Sequence, residues 1–171
     1  MPGRPLVLDA STAILLAKIG LLRELAGEGN IWMAEVAFME ATAKDVDDAR
    51  VIRALSEEGL LKRASPRGGR GKFEKDFRLD PGEAETIALA QEMGAIAGTD
   101  DGPAIRCLKV LGLPFTSAIA LLLAMAEARL VAQELAIELL SKLERFGRYD
   151  HRILEDVSRR IRAVGGKGGN K

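Results

Sequence analysis

Leu6-Val7-Leu8-Asp9-Ala10-Ser11-Thr12 is a short apolar run that ends in an acid and passes straight into a helical pattern. Behind Ser11, residues Ile14, Leu15, Ile19 and Leu22 recur at three-to-four spacing, with Gly20 and Gly27 as punctuation. Consecutive apolar residues, rather than an alternation, suit a strand covered on both faces. The pattern recurs along the chain. Asn30–Met33, Leu60–Ala64, Ala95–Thr99 and Pro114–Thr116 read as further short strands. Helices are expected at Val36–Lys44, Asp47–Glu58, Pro81–Met93, Asp101–Leu111, Ser117–Ala126, Ala132–Arg145 and Asp150–Val164. Pro81 is suited to a helix's first turn, where its missing N–H is not needed. Ser65–Lys72, SPRGGRGK, reads as an exposed loop and lacks the spacing of a phosphate-binding P-loop. The alternation predicts an α/β fold: a three-layer α/β/α doubly wound parallel sheet of about five strands, with extra C-terminal helices. In such sheets the functional crevice lies beyond the carboxyl ends of the strands.

The chain has 171 residues, 47% of them hydrophobic, which suits one domain with a real core. That domain is expected at 1–164, with the last seven residues, GGKGGNK (165–171), as a flexible tail. The formal net charge is zero, so global attraction to nucleic acid is excluded as the main driver. From His151 to Lys171 there are six Lys or Arg against two acids, a net of +4, which reads first as a solvated basic segment. The single cysteine, Cys107, rules out a disulfide within the chain and reads as a buried small hydrophobe. No secretory leader is read at Met1–Leu8, so a reducing cytoplasm is the expected location. The uncharged stretch Val110–Ala126 carries Pro114 and falls short of a membrane span.

The acids at the strand ends carry the chemistry. Asp9 closes the first strand, and Asp100 and Asp101 close the fourth, in AIAGTDDGP. Glu40 interrupts an otherwise apolar helix, AEVAFMEA, and is expected to face inward; Glu83 and Glu85 sit in the first turns of PGEAETIALA. Taken singly, each acid reads as a helix cap or a partner of the helix dipole. Taken together, converging carboxylates repel one another, and a divalent cation is the simplest compensation. An all-oxygen donor set selects hard ions, so Mg²⁺ or Mn²⁺ is expected; His151 is the only histidine, so no zinc set exists. Glu83 and Glu85 point to nearly opposite sides of one helix, so only one can face the cluster; Glu83 is favoured, with Glu85 in reserve. Asp101 is favoured over Asp100, which stands close enough to contribute.

In this order, LVLDAST, AEVAFMEA, LDPGEAETIALA and GTDDGPAIRCLKVLGLPF resemble the PIN domain, most closely the prokaryotic branch of VapC-type toxins. The likeness covers about Leu6–Leu123, and the C-terminal helices match that branch's usual extension. It implies a doubly wound fold and metal-dependent hydrolysis of RNA phosphodiester bonds. It also implies that Asp9, Glu40, Glu83 and Asp101 are the catalytic acids. Asp9, Glu83 and Asp101 would be the metal ligands, with Asp100 close by and Glu40 as a ligand or a general base. Ser11 matches the family's Ser/Thr two places after the first acid; Thr99 and Glu85 are further candidates for supporting the ligands. Two departures stand out. The third acid is Glu where Asp is common, and Gly102-Pro103 stand where a bulkier, often basic residue is common. Arg67, Arg70 and Lys72 are candidates for phosphate contacts, beside the ordinary reading of a solvated loop.

Other assignments fit less well. A phosphotransfer receiver needs a Lys after its last strand, and a haloacid-dehalogenase-like phosphatase needs Asp-x-Asp on its first; neither is present. The serious rival is a protein of the same fold that binds RNA or a partner without cutting it. On the nuclease reading, the expected partners are RNA, a small antitoxin protein laid over the acid crevice, and a second copy of the chain.

Overall fold

A computed structural model of the chain describes residues 3–165. Its centre is β1 (Leu6–Leu8), whose three residues are all buried. That is why the run is apolar throughout: helices cover the sheet on both sides. The chain continues through α1 (Ala10–Ile19), α2 (Leu22–Gly27), β2 (Ile31–Ala34), α3 (Glu35–Ala41), α4 (Asp47–Glu57) and β3 (Leu61–Ala64). It returns through α5 (Gly71–Phe77), α6 (Pro81–Met93), β4 (Ile96–Gly98), α7 (Gly102–Leu111) and β5 (Phe115–Thr116). Three helices follow: α8 (Ala118–Glu127), α9 (Gln133–Phe146) and α10 (His151–Gly165).

All five strands are parallel, in the order β3-β2-β1-β4-β5. From β1 the chain first adds β2 and β3 on one side, then crosses back to add β4 and β5 on the other. The direction therefore switches between β1 and β4, where Leu8 pairs with Gly98. A doubly wound sheet opens a crevice at the carboxyl ends of such a strand pair. Asp9 stands at the end of one strand and Thr99-Asp100-Asp101 at the end of the other.

The fold class and the five-stranded parallel sheet agree with the sequence expectation. Two helices do not. Gly20, at φ +81, ends α1 in a left-handed turn, and α2 begins as a separate helix instead of continuing the Ser11 pattern. The SPRGGRGK segment is a loop only as far as Arg70; Gly71 opens α5, whose Phe73 is buried. Glycines on both sides of Arg70 concealed a short helix that Phe73, and the partly buried Phe77, anchor to the core. Glu40 is also corrected. It lies on the exposed side of α3, while Ala37, Phe38 and Ala41 face the core. The expected tail, 165–171, lies outside the described residues apart from Gly165, the last residue of α10. Among the described residues, no helix is long and apolar enough to cross a membrane.

The β1–β4 contact is tight. A Cβ added to Gly98 would stand 2.5 Å from Leu8 Cδ2, and Leu8 is fully buried. Gly98→Val should therefore overpack the centre of the sheet and destabilise the protein by roughly 1–3 kcal/mol. A urea-unfolding midpoint equal to that of wild type would contradict this account of the β1–β4 approach.

Candidate active site

Asp9 is the N-cap of α1 and is 2% exposed. Its Oδ1 accepts the Thr12 amide at 2.7 Å and the Ser11 hydroxyl at 3.1 Å. Its backbone N–H donates to Gly98 O at 2.9 Å, which pins the residue to the β1–β4 junction. Oδ2 is buried and has no hydrogen-bond partner among the described residues. Burial pushes the Asp9 carboxyl above the usual carboxylate range, opposed by the Thr99 hydroxyl and by Thr12 and helped slightly by the charge on Asp100. Capping thus explains one oxygen of Asp9; the other has the Thr99 side chain as a neighbour but no partner at hydrogen-bond geometry among the described residues.

Asp100 is the opposite case. Its Oδ2 accepts the Thr12 hydroxyl at 2.8 Å and the Ala118 amide at 3.1 Å. Its Oδ1 accepts the Tyr149 hydroxyl at 2.6 Å. Both oxygens are in use, and the three donors come from α1, the start of α8 and the α9–α10 connection. Asp100 acts here as an anchor that ties the C-terminal helices to the sheet. Burial and the neighbouring Asp100 push the Tyr149 hydroxyl above its ordinary value, in keeping with its role as a donor to Asp100.

Asp101 caps α7, its Oδ2 accepting the Ala104 amide at 2.9 Å. Thr99 is buried, and its Oγ1 accepts the Asp101 amide at 3.1 Å, which fixes the turn that presents the two acids. Glu83, at the third position of α6, reaches back with Oε2 to the Asp80 amide at 3.1 Å. Partial burial pushes the Glu83 carboxyl up to about 7, against the Asp80 hydrogen bond and with the help of negative charge on Asp101, Asp80 and Asp9. That dependence places Glu83 within electrostatic reach of both strand-end acids.

Ser11, Glu83, Asp100 and Asp101 line one cavity of about 440 Å³, together with Lys18, Phe146, Gly147, Arg148 and Tyr149. Asp9 is held through its Ser11 hydrogen bond just beneath that lining. The other expected residues lie elsewhere. Glu40 Oε1 accepts the Gly82 amide at 3.1 Å at the start of α6, and a Cβ on Gly82 would collide with the Glu40 carboxylate. Partial burial raises the Glu40 carboxyl, opposed by that hydrogen bond. Glu85 is buried, with Oε2 accepting the Val36 amide at 3.1 Å. These two glutamates join α3 to α6. Arg67 pairs with Glu92 and Arg70 with Glu74; Lys72 lines a separate hollow beside Phe73.

Thr12, Lys18, Phe146, Arg148 and Tyr149 were not singled out from the sequence. Thr12 adjoins Ser11 and could have been noticed in LVLDAST. Tyr149 lies 49 residues from Asp100 in the chain, and no local pattern announces that contact.

The donor chemistry of the cavity fits a hard divalent cation: every acid offers oxygen, Asp9 Oδ2 has no partner, and Glu83 is destabilised as an anion. The donors are not drawn together, however. Among the described residues, no group of three metal-ligating side chains is close enough to hold an ion as it stands. Each acid instead turns at least one oxygen to a protein N–H or O–H. A family model described as a PIN domain matches residues 5–163. Among curated proteins, no relative matches the chain.

Because its pKa is raised from 4.5 to about 7, Glu83 binds a proton more readily in the folded chain than in the unfolded one. Its contribution to cation-free stability therefore falls as pH rises through that window, and its cost is complete above about 7. Glu83→Gln should gain stability relative to wild type as pH is raised across that window without metal. Urea midpoints of the two proteins that stay a constant distance apart across this range would contradict it.

Proposed function

The chain belongs to the PIN-domain family, whose members are typically nucleases that use divalent metals, and on that premise we propose that it is a Mg²⁺- or Mn²⁺-dependent endoribonuclease. The observation that carries the reading is Asp9: a buried carboxylate at the switch point of the sheet, with one oxygen unpartnered, beside a cavity lined by Glu83, Asp100 and Asp101.

Asp9, Glu83 and Asp101 would hold the cation, each through the oxygen it does not use for capping. A bound ion would supply a nucleophile at neutral pH and neutralise charge on the phosphate under attack. The chain's own residues set the stage. Ser11 and the Thr12 amide fix the Asp9 carboxylate; Thr99 fixes the turn that carries Asp101. Asp100, with both oxygens in use, contributes negative charge and rigidity rather than a free ligand atom. Glu83, with a pKa of about 7, is the group best suited to exchange a proton at neutral pH when no ion holds it. Glu40, hydrogen-bonded to Gly82, supports the α6 N-terminus from which Glu83 projects.

Two finer readings rest on the likeness to VapC-type toxins, a small antitoxin protein that covers the crevice and a homodimer; a cytoplasmic location and one domain spanning 1–164 are proposals from the sequence itself. A second reading has its own observation. The carboxylates do not gather into a ligand group, and a chain in which no ion gathers them would bind RNA or a partner without cutting.

Cleavage of a mixed pool of labelled RNAs, in Mn²⁺, in Mg²⁺ and in EDTA, tests the reading. Wild type should cut only with metal. Asp9→Asn should fold normally and lose activity by at least about a hundredfold, the scale of a catalytic group whose loss leaves only substrate binding. Metal-dependent cutting retained by Asp9→Asn would contradict the assignment. A well-folded wild type that cuts in no metal would favour the silent, RNA- or partner-binding reading.

A further inference from the structure

The lining of the acidic cavity also carries different chemistry. Phe146, the last residue of α9, is 49% exposed and lines the cavity with Lys18 and Arg148. Lys18 Nζ lies 5.9 Å from the centre of the Phe146 ring, and Arg145 Cζ lies 5.6 Å from it. A lone exposed phenylalanine is ordinary on a protein surface. Its surroundings are not. Among the described residues, Lys18, Arg145 and Arg148 have no acid partner, and Lys18 and Arg148 are the cations that line this cavity. Two of these cations stand beside the exposed ring, and the third shares its cavity with it.

We propose that Phe146, Lys18, Arg145 and Arg148 form a landing site for single-stranded RNA at the mouth of the acidic cavity. A base would stack on Phe146, and the cations would hold the phosphates on either side. This combination of an aromatic platform and a basic rim is how single strands are gripped with little sequence preference, because every base has a π-face. A duplex keeps its bases stacked on one another and cannot offer one to the ring. The rim also answers an electrostatic difficulty. Acids alone would repel the phosphate they act on, and cations in the same lining offset that repulsion at short range.

The platform is held in register with the acids. Gly147 follows Phe146, and a Cβ there would stand 2.5 Å from Tyr149 Cε2 and 2.9 Å from Leu143 O. Its bare backbone lets the Tyr149 ring fold back so that its hydroxyl reaches Asp100 at 2.6 Å. The segment carrying Phe146 and Arg148 is thereby fastened to the strand-end acids.

The biological meaning of this site rests on the nuclease reading, but its test needs no cleavage. Fluorescence anisotropy in EDTA would measure binding of a labelled mixed-sequence RNA single strand of about ten nucleotides, and of the matching duplex. Wild type should prefer the single strand. Phe146→Ala should weaken single-strand binding by roughly five- to a hundredfold, and Phe146→Leu by a similar factor, since leucine keeps the apolar bulk and loses the π-face. Combined Lys18→Ala, Arg145→Ala and Arg148→Ala should lower the salt dependence of binding by about two in log–log slope. Circular dichroism would check that each variant is folded. Single-strand affinity unchanged in Phe146→Ala overturns the proposal and assigns the exposed ring to a protein partner. Duplex bound as tightly as single strand overturns it too, as does a wild type that binds neither. Wild-type RNA binding without cleavage in any metal would count against the nuclease reading alone.

Discussion

The burial of one carboxylate at the end of the central strand is the constraint on which the arrangement turns. A buried, unpaired carboxylate oxygen is costly. The sequence nevertheless puts Asp9 where β1 ends, under a helix that it caps with one oxygen. Every neighbouring element is arranged around that charge. Thr12 serves Asp9 with its amide and Asp100 with its hydroxyl, and so links the two strand ends directly. Asp100 in turn gathers the Ala118 amide and the Tyr149 hydroxyl, which brings the C-terminal helices against the same junction. The raised Asp9 and Glu83 carboxyls express the same tension: carboxylates taken out of water, with further negative charge nearby.

The site divides into two layers of acids with different work. Asp9, Asp100, Asp101 and Glu83 stand around the cavity. Glu40 and Glu85 bind backbone amides at the start of α6 and α3 respectively, and so fix the angle at which α6 approaches the sheet. Gly82 is part of that joint, because the Glu40 carboxylate occupies the space a side chain would need. An error of a turn in α6 would carry Glu83 away from Asp9 and Asp101. The joint therefore matters to the cavity even though neither glutamate lines it.

Much of the fold was legible because its signals are local. Buried parallel strands write themselves as unbroken apolar runs such as LVL, and Pro81 and Gly94 mark both ends of α6. The acids at the strand ends were legible for the same reason, since topology alone puts Asp9 and Asp100-Asp101 on one edge. What could not be read depends on contacts between distant residues. Glu40 lies on a short helix whose apolar face is narrower than its composition suggests, so periodicity alone gave it the wrong side. Helix α5 hides among glycines because Phe73 and Phe77 alone anchor its short apolar face. The role of Tyr149, and the basic rim around Phe146, exist only once α9 packs beside α1. Arg67 and Arg70 looked free in the sequence for the converse reason: their acid partners Glu92 and Glu74 are set by the fold of a loop that composition left open.

The central claim is that Asp9 Oδ2 is left unpartnered for a cation. Isothermal titration of Mn²⁺ into metal-free protein at neutral pH, with wild type beside Asp9→Asn, addresses it without any substrate. The account predicts saturable binding by wild type that Asp9→Asn loses, with both proteins equally folded. Equal binding by the two, or no binding by a folded wild type, would contradict it.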